Sequence, residues 1–356
     1  MTRQQANPKT MSSISVVVPT RDRPQLLRAA LASAAPQLGC KDEIVVVDDG
    51  SVVPVREADL RQAFGVRLRV LRNDASHGLA WARHQGVEAA RSDYVVHLDD
   101  DDLYAPKLLG ECARRLGADP DLAMVFIGVE GFGDDSGNFN RMHPEGVARV
   151  IEEGQGLLVD ADFFVFDRRL ALGLLNRVPM PFQRVMARRE VWLAVTRLRL
   201  ACYQQVFALG SPDAARELIR GTLRDSEWAL YAPFACERLG LINQPLYLQR
   251  CQGQGGSSRL AMREQHAAQS AAIKSVLERA ARADTPLRPL HAPIRASLEK
   301  TLFDAAYESL AASAHRQALG YLLRSTVILG AKARHLKLLA RLTLSYLGLP
   351  VPARWQ

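Results

Sequence analysis

An open, mostly parallel α/β sheet flanked by helices, with a helical appendage at the C-terminal end, is the fold class this sequence predicts. Three observations predict it. From residue 14 to about 125, short apolar runs alternate with helical patterns, which is how parallel strands joined by crossover helices read. Three of those runs end in a polar cluster: Pro19-Thr20-Arg21, Asp48-Asp49-Gly50-Ser51 and the four aspartates Asp99 to Asp102. Beyond residue 260 the chain is rich in Ala, Leu and Arg and poor in strand formers, so that part reads as helical.

In order along the chain, Ile14 to Val18 is a buried strand. Pro24 to Ala34 is a helix with Leu26, Leu27, Ala30 and Leu31 on its inner face, the first residue being a proline that suits a helix start. Ile44 to Val47 is the second strand and Arg67 to Leu71, with its alternating arginines, a more exposed third. Gly78 to Ala90 is a helix, Tyr94 to Leu98 a fourth strand, Lys107 to Leu116 a helix and Leu122 to Gly128 a strand. Gly131 to Gly146, rich in Gly, Asp and Asn, reads as a loop or hairpin. Asp160 to Val195 is mixed. Asp213 to Leu239 is mostly helical, with Pro233 forcing a kink or a restart. The Gly-rich stretch Gln252 to Ser258 marks a boundary. The expected organisation is therefore a flexible N-terminus over 1–11, an α/β domain over 12–256 in two halves, 12–125 and 126–256, and a helical region over 257–356.

The 356 residues, 48% apolar and 24% charged, suffice for a large core and about two domains. A net charge of +8 favours an anionic partner, and charge by itself does not choose among nucleotide, acidic lipid and nucleic acid. Five scattered cysteines with no CxxC pair argue against a disulfide framework or a zinc site and for a reducing, cytoplasmic setting. The polar first ten residues, and the lack of any uniformly apolar stretch near twenty residues, predict neither an export signal nor a membrane span.

Ligands of open α/β sheets sit at the carboxyl ends of the strands, so the three polar clusters should line one crevice. Four adjacent aspartates are too costly to bury and too self-repelling to coexist unless a cation or a donor network neutralises them. In an extended run Asp99 and Asp101 share one face and Asp100 and Asp102 the other. Hard oxygen ligands of this kind select Mn²⁺ or Mg²⁺. The competing reading is an acidic turn that caps the following helix. Asp49, at the mouth of the sheet, is placed to accept from a base or ribose. Arg21, Arg23, Arg72 and Arg83 are candidates for phosphate. No GxGxxG or GxxxxGK[ST] follows the first strand, which excludes a dinucleotide fold and a P-loop as the first reading.

The four segments Val16 to Pro24, Ile44 to Ser51, Ala80 to Gly86 and His97 to Asp102 resemble, in order, the signatures of family 2 glycosyltransferases with the Rossmann-like GT-A fold. The resemblance covers about residues 12 to 125. It implies a nucleoside-diphosphate sugar donor, a UDP-sugar first, a metal at the acidic motif and inversion by a single displacement. It places Pro19, Thr20 and Arg21 beside the nucleotide, Asp49 on the base and Arg83 near the base or diphosphate. Asp101 becomes the first choice for the metal with Asp99 beside it, Asp99 or Asp100 lies nearer the ribose and sugar, and Asp102 serves the turn or the next helix. His84 stands where the family usually has Asn. Arg224 to Tyr231 resembles the family's acidic pair before a helix, which makes Glu227 the general base and Asp225 its close competitor, with Ser226 in place of the first acid. Pro181 to Glu190 sits where the family builds its acceptor floor. Pro245 to Arg250 resembles the strand that closes the core and leaves Arg250 to reach the diphosphate; Gln252 replaces a histidine the family often has.

The acceptor expected from this resemblance is a glycan, a lipid-linked sugar or a small molecule; nucleic acid is not expected. Leu336, Leu339, Leu342 and Tyr346 recur at helical spacing with Lys332, Arg334, Lys337 and Arg341 nearby. That helix reads either as packed on its own domain or a second subunit, or as lying on the inner face of a membrane. Two alternatives to a glycosyltransferase remain: a nucleotidyltransferase and a non-catalytic binder of sugar nucleotides.

Overall fold

The computed structural model describes residues 12–134, 136–207, 225–251, 260–283, 285–330 and 332–350. Two compact units emerge, Met1–Leu198 with Arg216–Cys251, and Arg199–Ala215 with Gln252–Gln356. The expected flexible N-terminus, the helix expected over 213–224 and the Gly-rich boundary at 252–258 lie outside the described residues.

The first unit is built on a ten-stranded sheet. Its strands are β1 (Ile14–Thr20), β2 (Glu43–Asp48), β3 (Leu68–Arg72), β4 (Tyr94–His97), β5 (Leu103–Tyr104), β6 (Met124–Phe132), β7 (Leu157–Asp160), β8 (Phe163–Phe166), β9 (Val185–Arg188) and β10 (Leu239–Arg250). They lie in the order β3-β2-β1-β4-β9-β6-β10-β8-β7, with β5 paired to β10. The motif-bearing half, β3-β2-β1-β4, is parallel throughout. Every residue of β1 and β2 is buried, as expected for strands covered by helices on both faces. Beyond β4 the sheet is mixed: β9 runs antiparallel between β4 and β6, while β6 and β10 are parallel to each other.

The helices that cover this half follow from spacing. In α1 (Pro24–Ala34) Leu27, Ala30, Leu31 and Ala34 are buried, the i, i+3, i+4, i+7 stripe of a helix lying on a sheet. The helix α2 (Glu57–Phe64) precedes β3, and α3 (Leu79–Ala89) lies on β1 through Gly86, where an added Cβ would stand 2.2 Å from Val17 Cγ1. The next helix, α4 (Leu108–Ala118), buries Leu108, Leu109, Cys112 and Leu116.

The segment read as a loop or hairpin over Gly131 to Gly146 is instead the start of a long helix, α5 (Ser136–Glu153). Its composition hid the spacing. Phe139 stacks on His143, Val147 and Val150 are buried one and two turns on, and Asn140 bonds both the N–H (2.7 Å) and the C=O (2.9 Å) of Gly131. The mixed stretch after it resolves into β7, β8, α6 (Leu170–Asn176), β9 and α7 (Arg189–Phe207). The helix that begins at Asp225, α8 (Asp225–Ala235), holds Pro233 within its last turn. It stops short of Leu239, which opens β10 rather than ending a helix as expected.

In the second unit the described residues form α9 (Leu260–Arg282), α10 (His291–Ala311), α11 (His315–Leu329) and α12 (Ala333–Tyr346), in line with the helical reading of this part. Ala306, Leu310, Ala318, Leu322, Leu338 and Leu342 make one core cluster and Ala271, Leu298, Leu302 and Ala305 another. No helix among the described residues is long and apolar enough to cross a membrane.

Candidate active site

Parallel register brings the carboxyl ends of β1, β2 and β4 to one edge, since Thr20 pairs with Asp48 and Val17 with His97. Three polar clusters therefore converge. Thr20 Oγ1 donates to Asp100 Oδ2 at 2.7 Å, and the Arg23 guanidinium spans Asp100 (3.2 Å) and Asp101 (3.0 Å). Arg21, expected beside Thr20, is mostly exposed and meets only its neighbour Asp22 at 3.6 Å among the pairs described. Its place at the aspartates is taken by Arg23.

At the end of β2 two carboxylates shape the loops. Asp48 is fully buried and accepts from Ser51 N (2.9 Å), Val55 N (3.0 Å) and Arg72 (2.6 Å), so Arg72 is held on Asp48 rather than offered to phosphate. Asp49 accepts from Asn73 Nδ2 (2.8 Å), Ser76 Oγ (2.7 Å), His77 N (2.9 Å) and Gly78 N (2.9 Å). Burial opposes ionisation of both, yet these donors hold both carboxyls below the usual range. Asp49 thus fixes the 73–78 loop at the start of α3. Gly50 is obligatory here: its φ is +78° and a Cβ would come within 2.7 Å of the Ala75 carbonyl carbon.

The aspartate turn is held from all sides. Arg83, on the inner face of α3 and only 7% exposed, pairs with Asp99. Arg184, equally buried just before β9, reaches Asp99 at 3.1 Å and Asp102 at 3.5 Å and lies over the Tyr247 ring. The Tyr247 hydroxyl donates to Asp102 Oδ2 at 2.9 Å and accepts from the Asp99 N–H at 3.2 Å. Arg250 donates its backbone N–H to Asp102 Oδ1 (2.8 Å) and its Nε to the Asp101 carbonyl (2.9 Å). Of the two roles the sequence offered Asp102, the turn or the next helix, it takes the first: α4 starts after Lys107 with no side-chain cap, and Asp102 ties the acidic turn to β10.

These contacts set Asp99 apart from Asp100 and Asp102 electrostatically. Loss of water alone would raise Asp99, but the Arg83 and Arg184 guanidiniums hold it well below the usual range. Burial, with the Asp99 charge beside it, pushes Asp102 up to about 7, and burial likewise raises Asp100. Oxygens of Asp99, Asp101 and Asp102 lie within 4.8 Å of one another. Three carboxylate oxygens at that spacing, one with a pKa raised by burial and by the Asp99 charge beside it, fit a hard divalent cation, which would add positive charge among them.

The remaining expected residues lie on α8 and α3. Glu227, in the first turn of α8, is completely buried, next to Trp228, whose ring stacks on Trp192 at 3.9 Å. Asp225 is the first residue of the same helix, and Gln252 lies outside the described residues. His84 pairs with Glu88 at 3.4 Å on the helix surface. Sequence reasoning gave Arg184 and Tyr247 no individual roles. The signal for Arg184 was present, as an arginine inside the apolar run Phe182 to Ala187 requires a buried carboxylate partner.

Comparison with known proteins follows the same lines. Residues 15–176 match the family described as Glycosyl transferase family 2. Over 124 residues the chain is 35% identical to the O-antigen biosynthesis protein RfbC of Myxococcus xanthus, covering 33% of this chain and 10% of that protein. It is 26% identical over 113 residues to an uncharacterized glycosyltransferase of Haemophilus influenzae, covering 32% and 37%. With the succinoglycan biosynthesis protein ExoW of Rhizobium meliloti it shares 36% over 101 residues, covering 27% and 31%. The matches thus span well under half of these relatives' lengths. Among solved structures, S. aureus TarS 1-349 in complex with UDP-GlcNAc aligns with a TM-score of 0.56 at 15% identity, over 96% of this chain and 93% of that one. The Pyrobaculum calidifontis mannosyltransferase PcManGT in complex with GDP-Man and Mn2+ aligns with a TM-score of 0.51 at 18% identity, over 98% and 84%. At such identities the likeness concerns the fold, and it agrees with the parallel half-sheet and the order of the four signatures. Residues 15–176, a little under half of the chain, are thus similar to glycosyl transferase family 2, and the fold is of the GT-A type.

Proposed function

We propose that this protein is a metal-dependent, inverting glycosyltransferase that moves a sugar from a nucleoside-diphosphate donor to a hydroxyl or amine acceptor in surface-glycan or glycosylated-metabolite synthesis. The observation that carries the reading is the acidic turn, where Asp99, Asp101 and Asp102 converge within 4.8 Å at the carboxyl edge of the sheet. The names of relatives that serve O-antigen and succinoglycan synthesis, and of a neighbour solved with UDP-GlcNAc, support it.

In this reading Asp101, with Asp99 and Asp102, would hold Mn²⁺ or Mg²⁺. The ion supplies charge neutralisation to the departing diphosphate. The chain's own residues do the rest. Pro19, Thr20 and Arg21 flank the nucleotide, the 73–78 loop fixed by Asp49 shapes the base pocket, and Arg83 orients Asp99 beside the ribose with Asp100 next to it. Glu227 takes the acceptor proton as the nucleophile attacks the anomeric carbon, with Asp225, two residues earlier, as the competing base. A UDP-sugar is the first donor to try.

The test is turnover of a panel of nucleotide sugars with glycan, lipid-linked and small acceptors, reading release of nucleoside diphosphate. Glu227→Gln should abolish transfer and leave donor binding intact, whereas Asp225→Asn should keep turnover. The reverse pattern would move the base to Asp225. Release of pyrophosphate would make the protein a nucleotidyltransferase, and donor binding without transfer to any acceptor would make it a binder.

A further inference from the structure

The last two helices carry an apolar surface that their own core does not use. On α11, Leu319, Leu323 and Val327 follow one another at i, i+4 and i+8 and are 38%, 55% and 84% exposed. That single stripe lies opposite the buried Ala318, Leu322 and Ser325. On α12, Leu336 and Tyr346 are 63% and 74% exposed, while Leu338 and Leu342 fill the core. Exposed leucine, valine and tyrosine gathered on two consecutive helices are not the scattered apolar residues of an ordinary surface.

Charge says what covers them. From Ser309 to Gln356 the sequence contains no Asp and no Glu. Arg316, Arg324 and Lys337 are exposed around the apolar stripes, while Lys332 and Arg334 are tied to Glu299 of α10. Such a face repels a second copy of itself and suits an anionic layer that also accepts apolar side chains. No helix among the described residues can span a bilayer, so the contact lies along the surface.

We infer that α11 and α12 adsorb to the surface of an anionic lipid bilayer, with Leu319, Leu323, Val327 and Leu336 entering the headgroup boundary and Arg316, Arg324 and Lys337 meeting lipid phosphates. The inference stands apart from catalysis and is read without it. The full chain is mixed with vesicles of phosphatidylcholine alone or enriched in phosphatidylglycerol, and floated on a density gradient at low and high salt. Flotation with the anionic vesicles only, lost at high salt, is the expected result. Arg316→Gln and Lys337→Gln should each weaken binding roughly fivefold, and Leu323→Ser with Val327→Ser should abolish it without changing the helical circular dichroism. Failure of the unaltered chain to float overturns the proposal, as do equal flotation on neutral vesicles and variants that float like the parent. A dimer that the double serine variant converts to monomer, with vesicles ignored by both, would assign the face to self-association instead.

Discussion

Replacing Tyr247 by Phe removes one oxygen and leaves the ring that Arg184 covers. The hydroxyl is buried, donates to Asp102 at 2.9 Å and accepts from the Asp99 N–H at 3.2 Å. At pH 8 Asp102 is ionised, because its pKa lies at about 7, so the lost bond is charge-assisted and the Asp99 N–H is orphaned as well. Together these cost about 2 kcal/mol, roughly thirtyfold in the unfolding equilibrium. At pH 6 Asp102 is protonated and the loss falls to about 1 kcal/mol. The sign in the parent protein follows. A carboxyl raised from 3.8 to about 7 binds a proton that the unfolded chain has released, so its contribution to stability falls between those pH values and is lowest above 7. Urea unfolding followed by tryptophan fluorescence reads chiefly the first unit, which holds three of the four tryptophans, Trp81, Trp192 and Trp228. A change below about 0.5 kcal/mol at pH 8, or one equal at pH 6 and pH 8, would refute the role given to Tyr247.

Three other outcomes are expected. Gly86→Ala drives a Cβ to within 2.2 Å of Val17 Cγ1, and the overpacking outweighs the gain in helix propensity, leaving a net loss of about 1–2 kcal/mol. Val17→Ala in the same chain should recover part of it, and simple additivity of the two losses would show that the contact is not the cause. Lys274 is buried in the second unit against Thr301 (2.6 Å) and burial lowers it from 10.5 to about 8. The unfolded chain therefore holds more protons between those values, so stability rises with pH across that window and the full cost, about 3 kcal/mol, applies below it. Lys274→Met should stabilise the helical unit at pH 7, by less than that figure because Thr301 loses a partner, and should flatten the pH dependence seen in far-ultraviolet circular dichroism melts. Arg83→Lys should weaken donor binding and let Asp99 titrate at higher pH, since an ammonium does not replace a guanidinium buried against a carboxylate; unchanged binding would remove Arg83 from the site.

How much of this was legible in sequence depended on how local each signal was. The parallel half-sheet could be read because β1, β2 and β4 are short apolar runs that end in polar clusters, and adjacency in sequence at a strand end becomes adjacency in space. The meeting of Thr20 with Asp100 followed from that rule, whereas Arg83 was placed near the site by resemblance. Arg184 and Tyr247 stayed hidden because their partners lie at least 82 and 145 positions away, and no spacing rule reports a contact across β9 and β10. The helix α5 was missed for a different reason. Its Gly, Asp and Asn content outweighed a sparse apolar stripe at Phe139, His143, Val147 and Val150, and tertiary burial of that stripe overrides weak propensity. Glu227 was placed by resemblance alone, and its complete burial is a property that sequence cannot state.

The central claim is that the aspartate turn holds a divalent cation and, through it, a sugar nucleotide. The direct measurement is thermal unfolding of the parent and of Asp101→Asn with UDP-sugars, each with Mn²⁺ and with chelator. Ligand that binds only the native state raises the melting temperature by mass action. The account predicts a rise for the parent that needs both Mn²⁺ and nucleotide sugar, and none for Asp101→Asn. An equal rise in chelator, or in Asp101→Asn, would contradict it.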